Sequence, residues 1–286
     1  SERFAVAVLD NFSTGKKEFV PRGCEIFECD IGDKNFVENV FKKFKPDVVS
    51  HHAAHISVRD SLEKPDFDAE KNILGSIHVF DLAGKFKAKN VVFASTGGAM
   101  IPATCETFPT PEQMGNLKLE SPYAISKFCA EKYLRFFAQK YGFCATILRY
   151  ANIYGPRQTP KGEAGVISIF LEKMLANETP TIFGDGEQTR DFLFIDDLIE
   201  AHFWATEKNI VGTFHLGTGT EISVLELYAE IAKQVGFEEK PNFKEGNSGE
   251  LKRSCLDSSA FQRVAKWQPK IDFETGIAKT VAWWGK

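Results

Sequence analysis

The first half of this chain alternates short apolar runs with longer stretches of helical spacing, and that alternation constrains its fold more than any other feature. The strand candidates are "FAVAVL" at 4–9, ending at Asp10, then Glu25–Cys29, Asp47–His51, Val91–Ser95 and Cys144–Leu148. Helical spacing falls between them at Phe36–Phe44, Asn72–Phe86 and Tyr123–Tyr141. Near-continuous apolar strands need cover on both faces, and parallel neighbours need a long crossover, so the pattern predicts βαβ units and an α/β fold with a doubly wound, mostly parallel sheet. Ligands of such sheets gather beyond the carboxyl ends of the strands, which makes the polar segments after Asp10, His51 and Ser95 candidates for one site.

Beyond Arg149 the pattern is less regular. "YANIYGPRQTPKGEAG" reads as a loop, followed by a helix at Val166–Ala176, a strand at Thr181–Phe183, the loop "GDGEQTRD" and a strand at Phe192–Ile195. Helices are expected at Leu198–Glu207, Val224–Val235 and Glu274–Trp284, with "KEGNSGELKRSCLD" crossing between them. The reading is a main domain over 1–155 and a smaller lobe over 156–286 that is interleaved with the last sheet elements. A chain of 286 residues can bury a core of that size.

Charge and cysteine usage exclude several classes. A net charge of −4 leaves no basic footprint for nucleic acid, and Lys85, Lys87 and Lys89 read as a solvated connection. Cys24, Cys29, Cys105, Cys129, Cys144 and Cys255 are scattered without a CxxC pair, which suits reduced thiols and makes the cytoplasm the default compartment. No stretch reaches transmembrane length, so no membrane partner is expected.

"SPYAISK" at 121–127 carries the sharpest chemical signal. Ser121 can cap a helix and Pro122 suits its first position, so Tyr123 and Lys127, four residues apart, share a face. An ammonium near a phenol favours the phenolate, the form a general base needs, although a lone Tyr/Lys pair is also a common surface feature. "HHAAH" at 51–55 lies at a strand end beside no acidic or cysteine ligand, and no metal is expected there.

Asp10-Asn11, Asp30-Ile31, "HHAAH", "STGGA", "SPYAISK", "RYANIYGPRQ", "GDGEQTRDFLFIDDLIEA", "FHLGTG" and "GELKRSCLD" occur in that order. Together they resemble the extended short-chain dehydrogenase/reductase family, in its NAD-dependent epimerase/dehydratase branch, and look closest to the bacterial UDP-glucose 4-epimerases. The resemblance spans almost the whole chain. It implies a Rossmann-like doubly wound sheet with a smaller C-terminal substrate lobe, tightly held NAD, and interconversion of UDP-glucose and UDP-galactose through a 4-keto sugar.

By the same resemblance Tyr123 is the base, Lys127 its charge partner and Thr96 a hydroxyl on the sugar oxygen. Asp10 takes the adenosine ribose; an acid there accepts both hydroxyls of NAD and would repel a 2′-phosphate. Asn11, Ser13 and Lys16 fall on the adenosine-side loop, Asp30 and Ile31 on the adenine. His52, Ala53, Ala54 and Asn72 follow the middle of the cofactor, and Tyr150, Tyr123 and Lys127 also belong to its binding set. Asn152 and Arg190 fall to the diphosphate, Val166 to the uracil, and Glu250 and Ser254 to the last substrate loop, where a small Ser254 leaves room for UDP-N-acetylhexosamines. A homodimer through the helices near Asn72–Phe86 and Tyr123–Tyr141 is the family expectation.

Three departures qualify the match. Asn247 stands where relatives carry a second arginine, and Ile101-Pro102 where they carry Tyr-Gly. Thr96 precedes Gly97 and Gly98 rather than the Asp-Glu of nucleotide-sugar dehydratases, which favours an epimerase, with another NAD-dependent nucleotide-sugar epimerase or dehydratase as the nearest alternative. A glycine-rich turn is expected about twenty residues before the ribose acid. Only nine residues precede Asp10, so the expectation is that the first βα unit is missing from this sequence. A non-catalytic Rossmann-like binding protein is the alternative that this departure keeps open.

Overall fold

The computed structural model describes residues 4–113, 118–160, 165–246 and 251–285. They form two compact units, one of Ser1–Ala94 with Ser121–Thr146, the other of Ser95–Glu120 with Ile147–Lys286.

In the first unit β1 (Ala7–Asp10) runs parallel to β2 (Glu25–Glu28), with Asp10 opposite Glu28. α1 (Lys34–Phe44) starts where the Asp33 carboxylate accepts the Phe36 N–H and buries Val37, Val40 and Phe41. β3 (Val48–His51) leads to α2 (Val58–Glu63), capped by Ser57, and α3 (Pro65–Ala69), opened by a proline at its first position. The chain then passes through a π-helical turn, Glu70–Leu74, into α4 (Gly75–Lys85). The single helix expected from Asn72 thus begins earlier and changes hydrogen-bond pitch on the way. Gly75 is required where that turn crosses the loop after β2, because a Cβ there would sit 2.7 Å from Ile31.

β4 (Asn90–Thr96) lies parallel to β3, His51 opposite Phe93, and its burial on both faces explains the unbroken apolar run. α5 (Pro122–Tyr141) is the longest helix at 20 residues and ends on Gly142 in the left-handed conformation. It packs on α4 closely enough that a Cβ at Gly84 would overlap the Tyr141 ring. β5 (Cys144–Tyr150) follows beside β4. This is the α/β Rossmann-like arrangement of parallel strands and helices.

The second unit begins along the ends of β4 and β5. It contains β6 (Asn152–Tyr154), α6 (Val166–Leu175), β7 (Thr181–Phe183), β8 (Thr189–Arg190), β9 (Phe192–Phe194) and α7 (Ile195–Glu207). It continues with β10 (Gly212–Leu216), β11 (Ile222–Ser223), α8 (Val224–Val235), β12 (Asn242–Lys244), β13 (Arg253–Ser254), α9 (Ser259–Ala265) and α10 (Phe273–Trp284). Tyr154, Ile167, Phe170, Leu171, Phe194, Leu227, Ile231 and Ile277 form its core.

Here the sequence reading needs correction. "YANIYGPRQTPKGEAG" is not wholly loop, since Asn152–Tyr154 pair in parallel with Phe192–Phe194. Thr189–Arg190 are flanked by Ile222–Ser223 and by Arg253–Ser254, pairs too short to show any periodicity. α7 starts at Ile195 rather than Leu198, with Asp196 and Asp197 in a first turn whose dipole favours them. Among the described residues no helix is long and apolar enough to cross a membrane.

Candidate active site

The Tyr123 helix is built as its local sequence dictates. Ser121 Oγ accepts the Ala124 N–H at 3.2 Å, and the Tyr123 N–H donates to Ser61 Oγ at 3.2 Å, which ties the first turn of α5 to α2. Tyr123 is half-buried. One turn on, Lys127 is only 3% exposed, its Nζ 4.5 Å from the centre of the Phe93 ring. Burial lowers the Lys127 ammonium to about 8, against the opposing pull of the carboxylates of Glu131 and Asp68. Neither acid was singled out from sequence. Glu131 carried a signal, being one turn beyond Lys127 on the same face, whereas Asp68 reaches the site only through tertiary packing.

Around the strand ends of the same unit, Asp10 closes β1 half-buried, its Oδ1 accepting the Phe12 N–H at 2.7 Å. Gly15 faces its other oxygen, 3.3 Å from where a Cβ would stand. Asn11 bridges this loop to the next, donating to Asp30 Oδ2 at 3.1 Å and accepting the Ser13 N–H at 3.0 Å. Ser13 and Lys16 are exposed, and Lys16 stands 3.7 Å from Glu18. Asp30 resists ionisation through burial, yet the Gly32 N–H, Lys71 and Asn11 together hold its carboxyl below the usual range. Ile31 is buried beneath Gly75.

After β3, His51 turns into the core between Phe80 and Phe93, its Nε2 3.0 Å from Ser76 Oγ. Burial, reinforced by the nearby Lys127 ammonium and by His52, depresses it to about 3, so it stays neutral. His52 is exposed and Ala53 and Ala54 half-buried along the same loop. Asn72, in the π-helical turn, fixes that loop: its Oδ1 accepts the His55 N–H and its Nδ2 donates to the His55 carbonyl, both at 2.8 Å. Asp10, Asn11, Asp30, Ile31, His52–Ala54, Asn72, Tyr123 and Lys127 therefore all belong to one unit.

The other unit carries the remaining residues. Thr96 ends β4 half-buried and its Oγ1 accepts the Ala99 N–H at 3.3 Å, which starts a short turn through the two glycines. Space is tight there: a Cβ at Gly97 would come within 2.4 Å of Leu256, and one at Gly98 would press more mildly on Ser254 Oγ at 3.3 Å. Ser254 is paired in register with Arg190 across β13 and β8, is 1% exposed, and its Oγ has no hydrogen-bond partner. Arg190 is half-buried and donates to the Thr189 carbonyl at 2.8 Å.

Asn152 is exposed in β6, and Val166 opens α6 behind Gly165. The Tyr150 hydroxyl hydrogen-bonds His202, and burial pushes this phenol far up. Asn247 and Glu250 lie outside the described residues.

Two carboxylates that sequence reading passed over organise this second group. Asp191, fully buried, accepts the Thr218 N–H and Oγ1, the Gly219 N–H and the Leu256 N–H, binding the strand ends of β8, β10 and β13 into one corner. Burial raises its carboxyl, and those donors work against the rise. Glu221 grips the Arg253 guanidinium through Nε at 2.9 Å and through Nη2, while the guanidinium stacks on Phe108. Strand alternation puts Arg253 on the face opposite Ser254 and Arg190.

Comparison with known proteins fits this geometry. The profile of the NAD dependent epimerase/dehydratase family matches residues 1–217. A UDP-glucose 4-epimerase of Mycolicibacterium smegmatis is 39% identical, the match covering 96% of this chain and 89% of that protein. The crystal structure of a Thermotoga maritima UDP-glucose 4-epimerase with UDP-glucose superposes with a TM-score of 0.95 at 39% identity, over 99% of this chain and 92% of that one. A Thermus thermophilus UDP-glucose 4-epimerase in complex with NAD gives 0.91 at 38% identity, over 98% and 91%.

Proposed function

The chain belongs to the NAD dependent epimerase/dehydratase family, and on that footing we propose that it is a UDP-glucose 4-epimerase, interconverting UDP-glucose and UDP-galactose through a 4-keto sugar. The observation that carries the proposal is the Tyr123–Lys127 pair on one face of a capped helix, with the lysine buried against Phe93 and its ammonium weakened toward neutrality. A surface pair would show none of that burial.

The residues of the first unit suit NAD. Asp10 offers only acceptor oxygens, and Gly15 keeps one of them uncrowded, which matches a ribose diol and repels a 2′-phosphate. In this reading Asp10, Asn11, Ser13 and Lys16 hold the adenosine side, and Asp30 and Ile31 flank the adenine. His52, Ala53, Ala54 and Tyr150 line the remainder, and Asn72 shapes the His52–His55 loop. NAD, when bound, supplies the acceptor and donor of the hydride at sugar C4.

Tyr123, as phenolate, takes the proton of the sugar 4-hydroxyl and later returns it. Lys127 holds the phenolate by its charge, and Thr96 gives a hydroxyl to the sugar. Arg190 compensates the diphosphate, Asn152 meets it, and Val166 borders the uracil. Glu250 belongs to the last substrate loop by likeness alone. The small Ser254 extends the substrate range to UDP-N-acetylhexosamines. Residues 1–155 then form the cofactor side and 156–286 mainly the substrate lobe.

Leu74, Ile125, Tyr133 and Phe136 are large apolar residues exposed on and beside α5. They support an isologous homodimer. Six free cysteines support a reducing, cytoplasmic setting.

Replacing Tyr123 by Phe removes the phenolic oxygen and keeps the ring. The expected result is a fall of at least about 100-fold in UDP-galactose epimerisation with an unchanged far-UV spectrum. Wild-type turnover in that variant would overturn the assignment of Tyr123.

A further inference from the structure

Lys127 is an ammonium in a nearly closed setting, and two buried acids, Glu131 and Asp68, act on it. Asp68 is 0% exposed and Asn72 1% exposed. Asn72 Nδ2 donates to Asp68 Oδ1 at 2.8 Å, while the same carboxamide is anchored at both ends to the His55 backbone. Asp68 Oδ2 has no hydrogen-bond partner. A buried carboxylate oxygen left without a donor is costly, and α3, which carries it, packs against α5, which carries Lys127. The pitch change at Glu70–Leu74 lies between Asp68 and α4 and carries Asn72, and single π turns of this kind are frequent at functional sites.

We propose that Asp68 is a positioning residue for the proton-transfer pair: its carboxylate, locked by Asn72, is the counter-charge that keeps the Lys127 ammonium in place on α5. The same Asn72 carboxamide grips the loop that follows β3. One side chain therefore links the cofactor loop to the charge beneath Tyr123. The proposal rests on the reading of Tyr123 and Lys127 given above.

The groups facing the ammonium set the sign of the effect. Glu131 on α5 and Asp68 on α3 stabilise it, and the imidazoles of His51 at the end of β3 and His52 after it, held neutral by burial and then by the ammonium itself, add no charge against it. Tyr123 stands one turn away on its own helix. Removing the Asp68 charge leaves Glu131 alone to oppose burial, so the neutral amine gains.

The test is Asp68→Asn, which keeps the shape and the Oδ1 acceptor and removes the charge. Lysine ¹³Cε resonances of the intact chain would be titrated by NMR, with Lys127 assigned by its loss in Lys127→Met. The expected outcome is a Lys127 midpoint lowered from about 8 by one pH unit or more, a tenfold shift toward the amine. The alkaline limb of kcat/KM should move down with it. Asn72→Ser, which unlocks the carboxylate without removing it, should shift the midpoint in the same direction by less, and it decides the matter if Asp68→Asn does not fold. A midpoint unchanged in the folded variants, even with lowered stability, would make Asp68 a purely structural acid and overturn the proposal. The NMR titration needs no turnover, so a wild-type chain without epimerase activity would sink the functional reading and leave this one still decidable.

Discussion

The two groups of site residues are built on different principles. Around Lys127, the proposed residues sit on helical segments: α5 carries Tyr123, Lys127 and Glu131 at successive turns, and the short turns from α3 to α4 carry Asp68 and Asn72. Around Arg190, the proposed residues sit on two-residue strands that meet from distant parts of the chain and are held at one corner by Asp191. The first arrangement fixes reactive geometry through helix period. The second is held together by a buried carboxylate and backbone N–H groups.

The largest expected effect follows from breaking that corner. Asp191→Ala would leave three backbone N–H groups and the Thr218 hydroxyl without their acceptor in a fully buried place. At about 1–3 kcal/mol for each orphaned group, and allowing for water entering, the loss in unfolding free energy should be about 4 kcal/mol by urea titration. Hydrogen exchange should speed in β8, β13 and 217–219. A loss under about 1 kcal/mol would mean that the corner holds itself together by strand pairing.

The contrast also explains what was legible in the sequence. β3, β4, α5, α6 and α8 announce themselves by period, and Ser121-Pro122 fixes where the tyrosine helix begins. That Tyr123 and Lys127 share a face was readable because the helix places residues four apart side by side. Asp68 was not, because its link to Lys127 passes through the packing of α3 on α5. Nor was Asp191, because an acid between two short strands looks like any turn residue until Thr218, Gly219 and Leu256 converge on it. The strand at Asn152–Tyr154 was hidden for the same reason, being defined by Phe192–Phe194 rather than by its own pattern.

A second, smaller effect sharpens the comparison from the helical side. His51 ordinarily titrates near 6.5, but burial first and then the Lys127 and His52 charges hold it at about 3 in the folded chain. Between those values the unfolded state binds the extra proton, so stability rises with pH across the window. The contribution is complete above about 6.5 and is lost as pH falls. From pH 7 to pH 5 the loss should be about 2 kcal/mol for this one group. His51→Gln, which retains a donor toward Ser76, should remove that slope and leave the chain less pH-sensitive than wild type. Parallel slopes for the two proteins would show that the imidazole takes up its proton without unfolding.

The smallest effect lies in the strand-built group and concerns choice of sugar. Ser254 is buried beside Gly98, in register with Arg190, and its hydroxyl makes no hydrogen bond. An unpartnered hydroxyl of that size holds a place by being small. On the reading proposed for Ser254, Ser254→Tyr would fill the space of an acetamido group. The ratio of kcat/KM for UDP-N-acetylglucosamine to that for UDP-glucose should therefore fall about tenfold, close to 1.4 kcal/mol of discrimination. The ratio is the proper readout, because crowding against Gly98 that merely loosens the fold would lower both rates together and leave it unchanged. An unchanged ratio with both rates intact would place the acetamido group elsewhere and detach sugar choice from the corner built around Asp191.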